Sequence, residues 1–512
     1  MIVAEKVQAG DEAAEAPDGA RMHRFDPAME GVAQAIMQYA LERIRLDPPP
    51  LDGSRTPAEL DRLGSTVVAE GIGGMAALRV FCEHLAPATI SQDHPRNVSF
   101  VPCSPTEAAV LFDLVVGASS IYGGSWLEGA GAIWAENQAL RWLGDLAGFP
   151  ASAGGVFVSG GSAANLSALV AARYRAMRQW GADPDGGTGA GLRPKRWYVA
   201  ASDGAHSSIA AAARVMDVSV LRIPSDSDGR MRADGLRAAF TDARARGIAV
   251  GNTDREAGFA ADWPSAPEGI VFAVVATSGT TNAGTIDDLT AAADAAQANG
   301  LWLHVDGAYG AAALVAPSVR KRFAGIERAD SFVVDPHKWL FAPYDCAALV
   351  YREPSLAGEA HAQHAGYLDV THTGEWNASD YAFHLTRRAR GLPFWFSLAT
   401  HGTDAYRDAV ESSLTLTRRI AAVIDETPHL DLLMEPELSI VLFRRRGWTK
   451  ADYHDWSTRM LDEGRTFCVP TTVADGNGGR ETVLRFCVTH PRTTFEDLCG
   501  ILATLDEQAT ES

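Results

Sequence analysis

The chain has 512 residues, 46% of them hydrophobic, enough to bury a large core spread over about two or three domains per subunit. Its 64 acidic residues outnumber 45 basic ones and leave a net charge of −19, a field that repels phosphate backbones and anionic lipid and so argues against nucleic-acid and membrane partners. No apolar run reaches the roughly 20 residues of a membrane span, the first residues lack a basic-then-apolar signal pattern, and the six cysteines form no CxxC pair, so a cytoplasmic protein without disulfides or bound metal is expected.

In chain order, residues 1–24 are rich in Ala, Glu, Asp and Gly without periodicity and read as a disordered leader. Residues 25–105 carry two helical stretches, AMEGVAQAIMQYALERIRL and TPAELDRLGSTVVAEG, and end in the proline-broken HPRNVSFVPCSP, which together read as an N-terminal helical arm. Residues 106–390 alternate between helix and strand: helix near 127–147, strand 155–158, helix 163–180, strand 196–200, helix 206–216, strands 218–222 and 270–275, helix 288–299, strands 301–305 and 331–334. Residues 391–512 offer a long helix at about 398–425 and short strands at 439–443 and 482–488. The expected fold class is α/β, with a mostly parallel central sheet in a large domain and a small C-terminal α/β domain. Two polar, glycine-rich segments, 181–195 and 251–269, read as surface insertions. In such a sheet ligands sit beyond the carboxyl ends of the strands.

Four of those strand ends carry candidate chemistry. GVFVSGGSAAN (155–165) runs an apolar strand into Gly160, Gly161 and Ser162 and then into a helix, where free amides and the helix dipole favour a phosphate. A tight packing turn would read the same. RWYVAASDGAHSS (196–208) places His206 after a strand, where an imidazole can lie on a heteroaromatic ring or serve only as a structural side chain. FAVVATSGTTNAGTIDDL (272–289) ends a buried strand in hydroxyls, of which Thr277 is nearest a ligand; ordinary turns and caps also look like this. In LWLHVDGAYG (301–310) and DSFVVDPHKWL (330–340), Asp306 ends one apolar strand and Lys338 follows the next. A carboxylate paired with a pyridine nitrogen keeps it protonated, and an amine that forms an imine tethers a cofactor. A buried ion pair is the plain alternative, but two desolvated charges beside small residues are costly without a further purpose. Taken together, these features point to pyridoxal 5′-phosphate held as a Schiff base on Lys338.

From about residue 25 to 505 the sequence resembles the group II pyridoxal-phosphate decarboxylases, the family of aromatic L-amino acid, histidine and glutamate decarboxylases with the aspartate-aminotransferase (type I) fold. HVDGAYG, ADSFVVDPHKWLFAPYDCAALV, SDGAHSS and ATSGTTNAGTIDDL carry the resemblance. It implies Lys338 as Schiff-base lysine, Asp306 on the pyridine nitrogen and His206 stacked on the ring. Gly161, Ser162 and Ala163 match the phosphate turn, with Asn165, Thr277, Ala308 and His337 beside the cofactor. It further implies a homodimer whose active site forms between subunits, with the arm wrapping the partner. In AHAQHAGYLDVTHTGEW (360–376), Tyr367 falls where the family's mobile loop carries a tyrosine that can return a proton to Cα; its presence with His206 favours amine formation over aldehyde formation.

The resemblance also bears on the substrate. In IYGGSW (121–126), Tyr122 precedes Gly124, which stands at a phenylalanine-like position and suggests a wider pocket. HPRNVSFVP sets Phe100 and Val101 at paired aromatic positions with Pro102 retained, HLTRRARGLPFW places Thr386 where a small residue helps discriminate side chains, and VLRFCVTHPRTT offers Arg485. The expected reaction is decarboxylation of an L-amino acid, aromatic by preference, to the amine and carbon dioxide. Glutamate, methionine or a diamino acid, an aldehyde-forming decarboxylation, and transamination with Arg485 on the α-carboxylate stand as alternatives. A non-enzymatic binding protein would have lost Lys338 or Asp306. His361, His364 and His372, without a nearby cysteine, read as solvated loop histidines and not as a metal site.

Overall fold

A computed structural model of the chain describes residues 20–181, 194–256, 267–363, 376–474 and 479–506. Tyr367, His364 and His372 therefore lie outside the described residues. The chain divides into two compact units between Ile90 and Ser91. In the first unit, the helix Pro27–Ile44 starts at Asp26, whose side chain accepts the Met29 N–H, and buries none of its residues. The helix expected over TPAELDRLGSTVVAEG shrinks to Pro57–Leu60 and a 3-10 turn at Asp61–Leu63. Gly64, at φ 72°, turns the backbone out of the helix, and the β-branched pair Val67 and Val68 does not restart it.

The second unit is built on a sheet of eight strands: β1 (Gly154–Val158), β2 (Trp197–Ser202), β3 (Ser219–Ile223), β4 (Ile248–Val250), β5 (Gly269–Thr277), β6 (Trp302–Asp306), β7 (Ser331–Val334) and β8 (Ala347–Tyr351). The order is β1-β8-β7-β6-β5-β2-β3, with β4 paired to β5. Only the pairings of β8 with β1 and β7 are antiparallel; the others run parallel. All nine residues of β5 are buried, which explains why it reads as an unbroken apolar run and not as an alternation. Helices cover both faces. Leu140, Leu143, Leu289 and Phe394 pack with Val274 and Ala276, while Ala164, Leu169 and Ile209 pack with Ala273 and Val275. Strands β4 and β8 were not among the expected elements; β4 has only three residues, and β8 opens on two alanines of low strand propensity.

The long helix begins at Leu392, with Pro393 in its first turn, and runs to Glu426 across a kink at Gly402. Beyond it, β9 (Leu430–Leu432), β10 (Ile440–Arg445), β11 (Thr471–Ala474) and β12 (Arg480–Cys487) form an antiparallel sheet in the order β11-β12-β10-β9. Residues 96–99, read with the arm in sequence, attach here: the Val98 N–H donates to the Phe467 carbonyl at 3.0 Å, and the Val98 carbonyl accepts the Cys487 N–H at 2.9 Å. Among the described residues no helix is long and apolar enough to cross a membrane.

Candidate active site

The carboxyl ends of β1, β2, β5, β6 and β7 open into one cavity of about 360 Å³, which is lined by Gly161, His206, Thr277, Asp306, His337 and Lys338 among others. Parallel strands end on one edge of the sheet, so residues far apart in sequence converge there. The cavity also includes Ser162, Asn165 and Ala308. Of the residues expected to touch a cofactor, Ala163 is the one not lining it.

Lys338 Nζ lies 2.9 Å from Asp335 Oδ2. Burial alone would pull the ammonium's pKa down; the charge and hydrogen bond of Asp335, helped by Asp306, outweigh it and raise the value. Asp335 is buried and also accepts the Gly161 N–H at 3.3 Å, so it joins the lysine to the first amide of the Gly161–Gln179 helix. His337 Nδ1 accepts the Cys346 N–H at 3.1 Å, and burial, its largest influence, lowers its pKa. Its ring tilts against Tyr344, with centroids 5.1 Å apart.

Asp306 is 4% exposed. Its Oδ2 accepts from Asn165 Nδ2 at 2.9 Å and its Oδ1 from the Ala308 N–H at 3.2 Å, which stabilises the ionised carboxylate. His206 caps the Ser207–Val215 helix, its Nδ1 accepting the Ser208 N–H at 3.2 Å.

The cavity fits pyridoxal phosphate. Gly160, at the start of the Gly161–Gln179 helix, supplies no side-chain cap, so apart from the Gly161 N–H that Asp335 accepts, the helix start is open to a phosphate. A Cβ on Gly161 would come within 2.9 Å of Ala308 Cβ and 3.1 Å of Asp335 Oδ2, so this cradle needs glycine. Thr277 Oγ1, in the cavity lining, is buried without a hydrogen-bond partner among the described residues, a donor available to a ligand.

Residues 80–253 and 265–446 match the model of the pyridoxal-dependent decarboxylase conserved domain. The chain belongs to the pyridoxal-dependent decarboxylase family. It is a carboxy-lyase that uses pyridoxal phosphate to decarboxylate an amino acid. An aromatic-L-amino-acid decarboxylase of Bacillus atrophaeus is 30% identical over 430 residues, 82% of each chain. An L-2,4-diaminobutyrate decarboxylase of Rhizobium meliloti (strain 1021) is 31% identical over 86% of this chain and 83% of the relative. The solved structure of Oryza sativa TDC with PLP and tryptamine superposes with a TM-score of 0.80 at 24% identity, covering 95% of this chain and 99% of the other, and shares its fold.

The residues expected to bind substrate do not line this decarboxylase's cavity in the single chain. Phe100 is 60% exposed at φ 50°, Pro102 is buried, and Thr386 is exposed. Arg485 is buried; its Nη1 donates to the Phe100 carbonyl at 2.6 Å and its Nε to the Asn282 carbonyl at 3.2 Å. The wider pocket expected at Gly124 is corrected: a Cβ there would come within 2.3 Å of Tyr122 Oη, so the missing side chain makes room for Tyr122's own ring, whose hydroxyl donates to the Leu385 carbonyl at 3.1 Å. His361 is also corrected. It is buried, with Nε2 2.9 Å from the Ser167 carbonyl, and is not a solvated loop residue.

Sequence reasoning missed Asp335, Ser208, His304 and Tyr344. Asp335 could have been found, since it sits three residues before Lys338 at the end of the same strand. His304 alternates to the opposite side of β6 from Val305, yet it contacts the far end of the Asn165 amide at 2.8 Å, a pairing with no local signal.

Proposed function

We propose that this decarboxylase acts on an aromatic L-amino acid as a homodimer, with Lys338, Asp306, His206 and Tyr367 as its catalytic residues. The observation that carries the reading is the convergence of a lysine, a buried carboxylate and a glycine-led helix start in one cavity. When bound, pyridoxal phosphate supplies a cationic ring that draws the electron pair from the bond to the departing carboxylate. Lys338 tethers the cofactor and yields to the amino acid, and Asp335 holds its Nζ in position. Asp306 keeps the ring nitrogen protonated. Gly161, Ser162 and Thr277 would hold the phosphate, Ala163, Asn165, Ala308 and His337 would support the ring and its partners, and His206, in the cavity lining, would stack on the ring. Among the described residues the cavity lining holds no arginine to clamp the leaving carboxylate, a contact that would favour the ground state over a transition state that is losing charge. Tyr367 gives the proton to Cα.

Support for a homodimer comes from apolar side chains left exposed on one chain: Leu111, Leu114, Leu127, Trp134 and Phe383. In the arm, Met29, Ile36 and Met37 are exposed as well. A partner subunit at Phe100, Pro102, Tyr122, Thr386 and Arg485 would complete an apolar side-chain pocket. We assign residues 25–105 to the arm, 106–390 to the large domain and 391–512 to the small one. Free cysteines suit a reducing cytoplasm. The Rhizobium relative favours a diamino acid as the second reading.

The test is to incubate purified holoenzyme with L-tryptophan, L-phenylalanine, L-histidine, L-glutamate and L-2,4-diaminobutyrate, and to measure carbon dioxide and amine. Aromatic substrates should lead; exclusive turnover of glutamate or diaminobutyrate overturns the substrate assignment. Lys338→Ala should lose turnover and the visible band that borohydride bleaches in wild type. Full turnover by that variant removes Lys338 from its role. Light scattering should give the mass of two chains.

A further inference from the structure

From the cavity lining inward runs a chain of hydrogen bonds whose direction can be read atom by atom. Its members are all at least 95% buried: Trp302, Ser331, His304, Asn165, Asp306 and Ser208. Asn165 is the hub. Its Nδ2 is 2.9 Å from Asp306 Oδ2 and 2.9 Å from Ser208 Oγ, and its Oδ1 is 2.8 Å from His304 Nε2.

Two ends of this chain permit one arrangement of protons. Asp306 as a carboxylate only accepts, so Asn165 must turn its NH₂ group toward it and its carbonyl toward His304. His304 must then carry a proton on Nε2. At the other end Trp302 Nε1 only donates, and it reaches Ser331 Oγ at 2.9 Å. With Nε2 protonated and the ring neutral, Nδ1 is an acceptor, and the Ser331 hydroxyl donates to it at 2.8 Å. Burial pushes the His304 imidazole down, against the opposing pull of Asp306 and the Ser331 carbonyl, so it stays neutral with one proton. The second Asn165 hydrogen goes to Ser208 Oγ, and Ser208 in turn faces His206 Nδ1 at 2.9 Å with its hydroxyl and at 3.2 Å with its N–H. Two donors on Nδ1 leave the His206 proton on Nε2.

We propose that Asn165 is a positioning residue that ties Asp306, His304 and His206 into one unit with a single proton arrangement, in which His206 presents Nε2–H to the cavity. It acts through Asp306 and His206. Every donor and acceptor on its amide is used, so it cannot rotate without breaking three bonds, and the Asp306 carboxylate is held against movement in the plane of its two partners. The assignment deepens the function proposed above, since it takes Asp306 and His206 as the residues that face the cofactor. The proton arrangement itself stands on the hydrogen-bond geometry together with the neutrality of the buried His304 ring, and not on turnover.

The experiment is ¹⁵N NMR of full-length holoenzyme labelled at histidine, with His206→Gln and His304→Gln used to assign the two rings. In wild type, His304 should be neutral with its proton on Nε2, and the neutral tautomer of His206 should likewise be the Nε2–H form. The isosteric variant Asn165→Asp places an acceptor-only group between Asp306 and His304, and a carboxylate 2.8 Å from Nε2 should convert His304 to imidazolium. Asp306 is the other charged group that acts on this ring. In the same variant kcat should fall at least about 100-fold while KM changes less than about threefold, because a second carboxylate then stands beside Asp306 in place of the amide that donated to it. A wild-type His304 or His206 with its proton on Nδ1 overturns the proposal without any variant having to fold. So does an Asn165→Asp protein whose His304 spectrum is unchanged. Expected spectra in an enzyme that turns over no amino acid would instead count against the proposed function and leave the proton arrangement standing.

Discussion

Replacing Asp306 by asparagine keeps the shape of the side chain and removes its charge. Two buried donors now converge on that carboxylate, Asn165 Nδ2–H and Ala308 N–H. An amide can accept one of them with its oxygen, but its NH₂ group then faces the other, which costs about 1–3 kcal/mol of stability for a buried unsatisfied donor. The larger effect is on chemistry. A full charge in contact with the cationic ring, in a site only 4% exposed at Asp306, is worth about 4 kcal/mol at an effective dielectric of about 20. At about 1.4 kcal/mol per decade, turnover should fall by about three orders of magnitude. The variant should still fold, bind pyridoxal phosphate and show the borohydride-sensitive band, because Lys338 and the Gly161 cradle are untouched. Carbon dioxide release under saturating substrate measures the loss, and thermal unfolding of the same preparation measures the stability. A kcat within tenfold of wild type would refute the role of Asp306 on the ring.

Gly161→Val should raise the dissociation constant for pyridoxal phosphate at least about tenfold, read by titration of the visible band, because even a Cβ there meets Ala308 at 2.9 Å; unchanged affinity would move the phosphate elsewhere. His94 accepts the Arg96 N–H on Nδ1 at 2.9 Å, and burial, reinforced by Arg96 and His490, pushes its pKa down to about 4. The unfolded imidazole gains a proton below about 6.5 while the folded one does not until about 4, so this part of the stability is present at neutral pH and lost as pH falls. His94→Gln should therefore lose on the order of 1 kcal/mol less than wild type between pH 7.5 and 5 in urea unfolding, and identical pH slopes would count against it. Tyr367→Phe should still release carbon dioxide but shift product from amine toward aldehyde, ammonia and peroxide; amine at the wild-type rate would mean that the proton comes from another group.

The sequence by itself determined the local order of strands and helices and the cofactor chemistry. Buried parallel strands are continuous apolar runs, as in GIVFAVVAT, and the residues at their ends are polar or small for reasons of chemistry, so Asp306, Lys338, His206 and the Gly161 turn stood out in one dimension. The long, strongly patterned elements were legible. The three-residue β4, the alanine-led β8 and the helix at Pro57–Leu60, cut short before Gly64, were not, because their limits are set by neighbours and by one backbone angle. Only the tertiary structure decided which side chains meet. Asp335 pairs with Lys338 because the turn after β7 folds back over the helix start at Gly161. Tyr122 fills the space that Gly124 leaves, so an apparent widening of the pocket vanishes. Asn165 joins Asp306 and His304 of β6 to Ser208 of the Ser207–Val215 helix. Hydrogen bonds between such elements depend on distances of a few tenths of an ångström across the packed sheet and helices, and no local pattern in the chain encodes them.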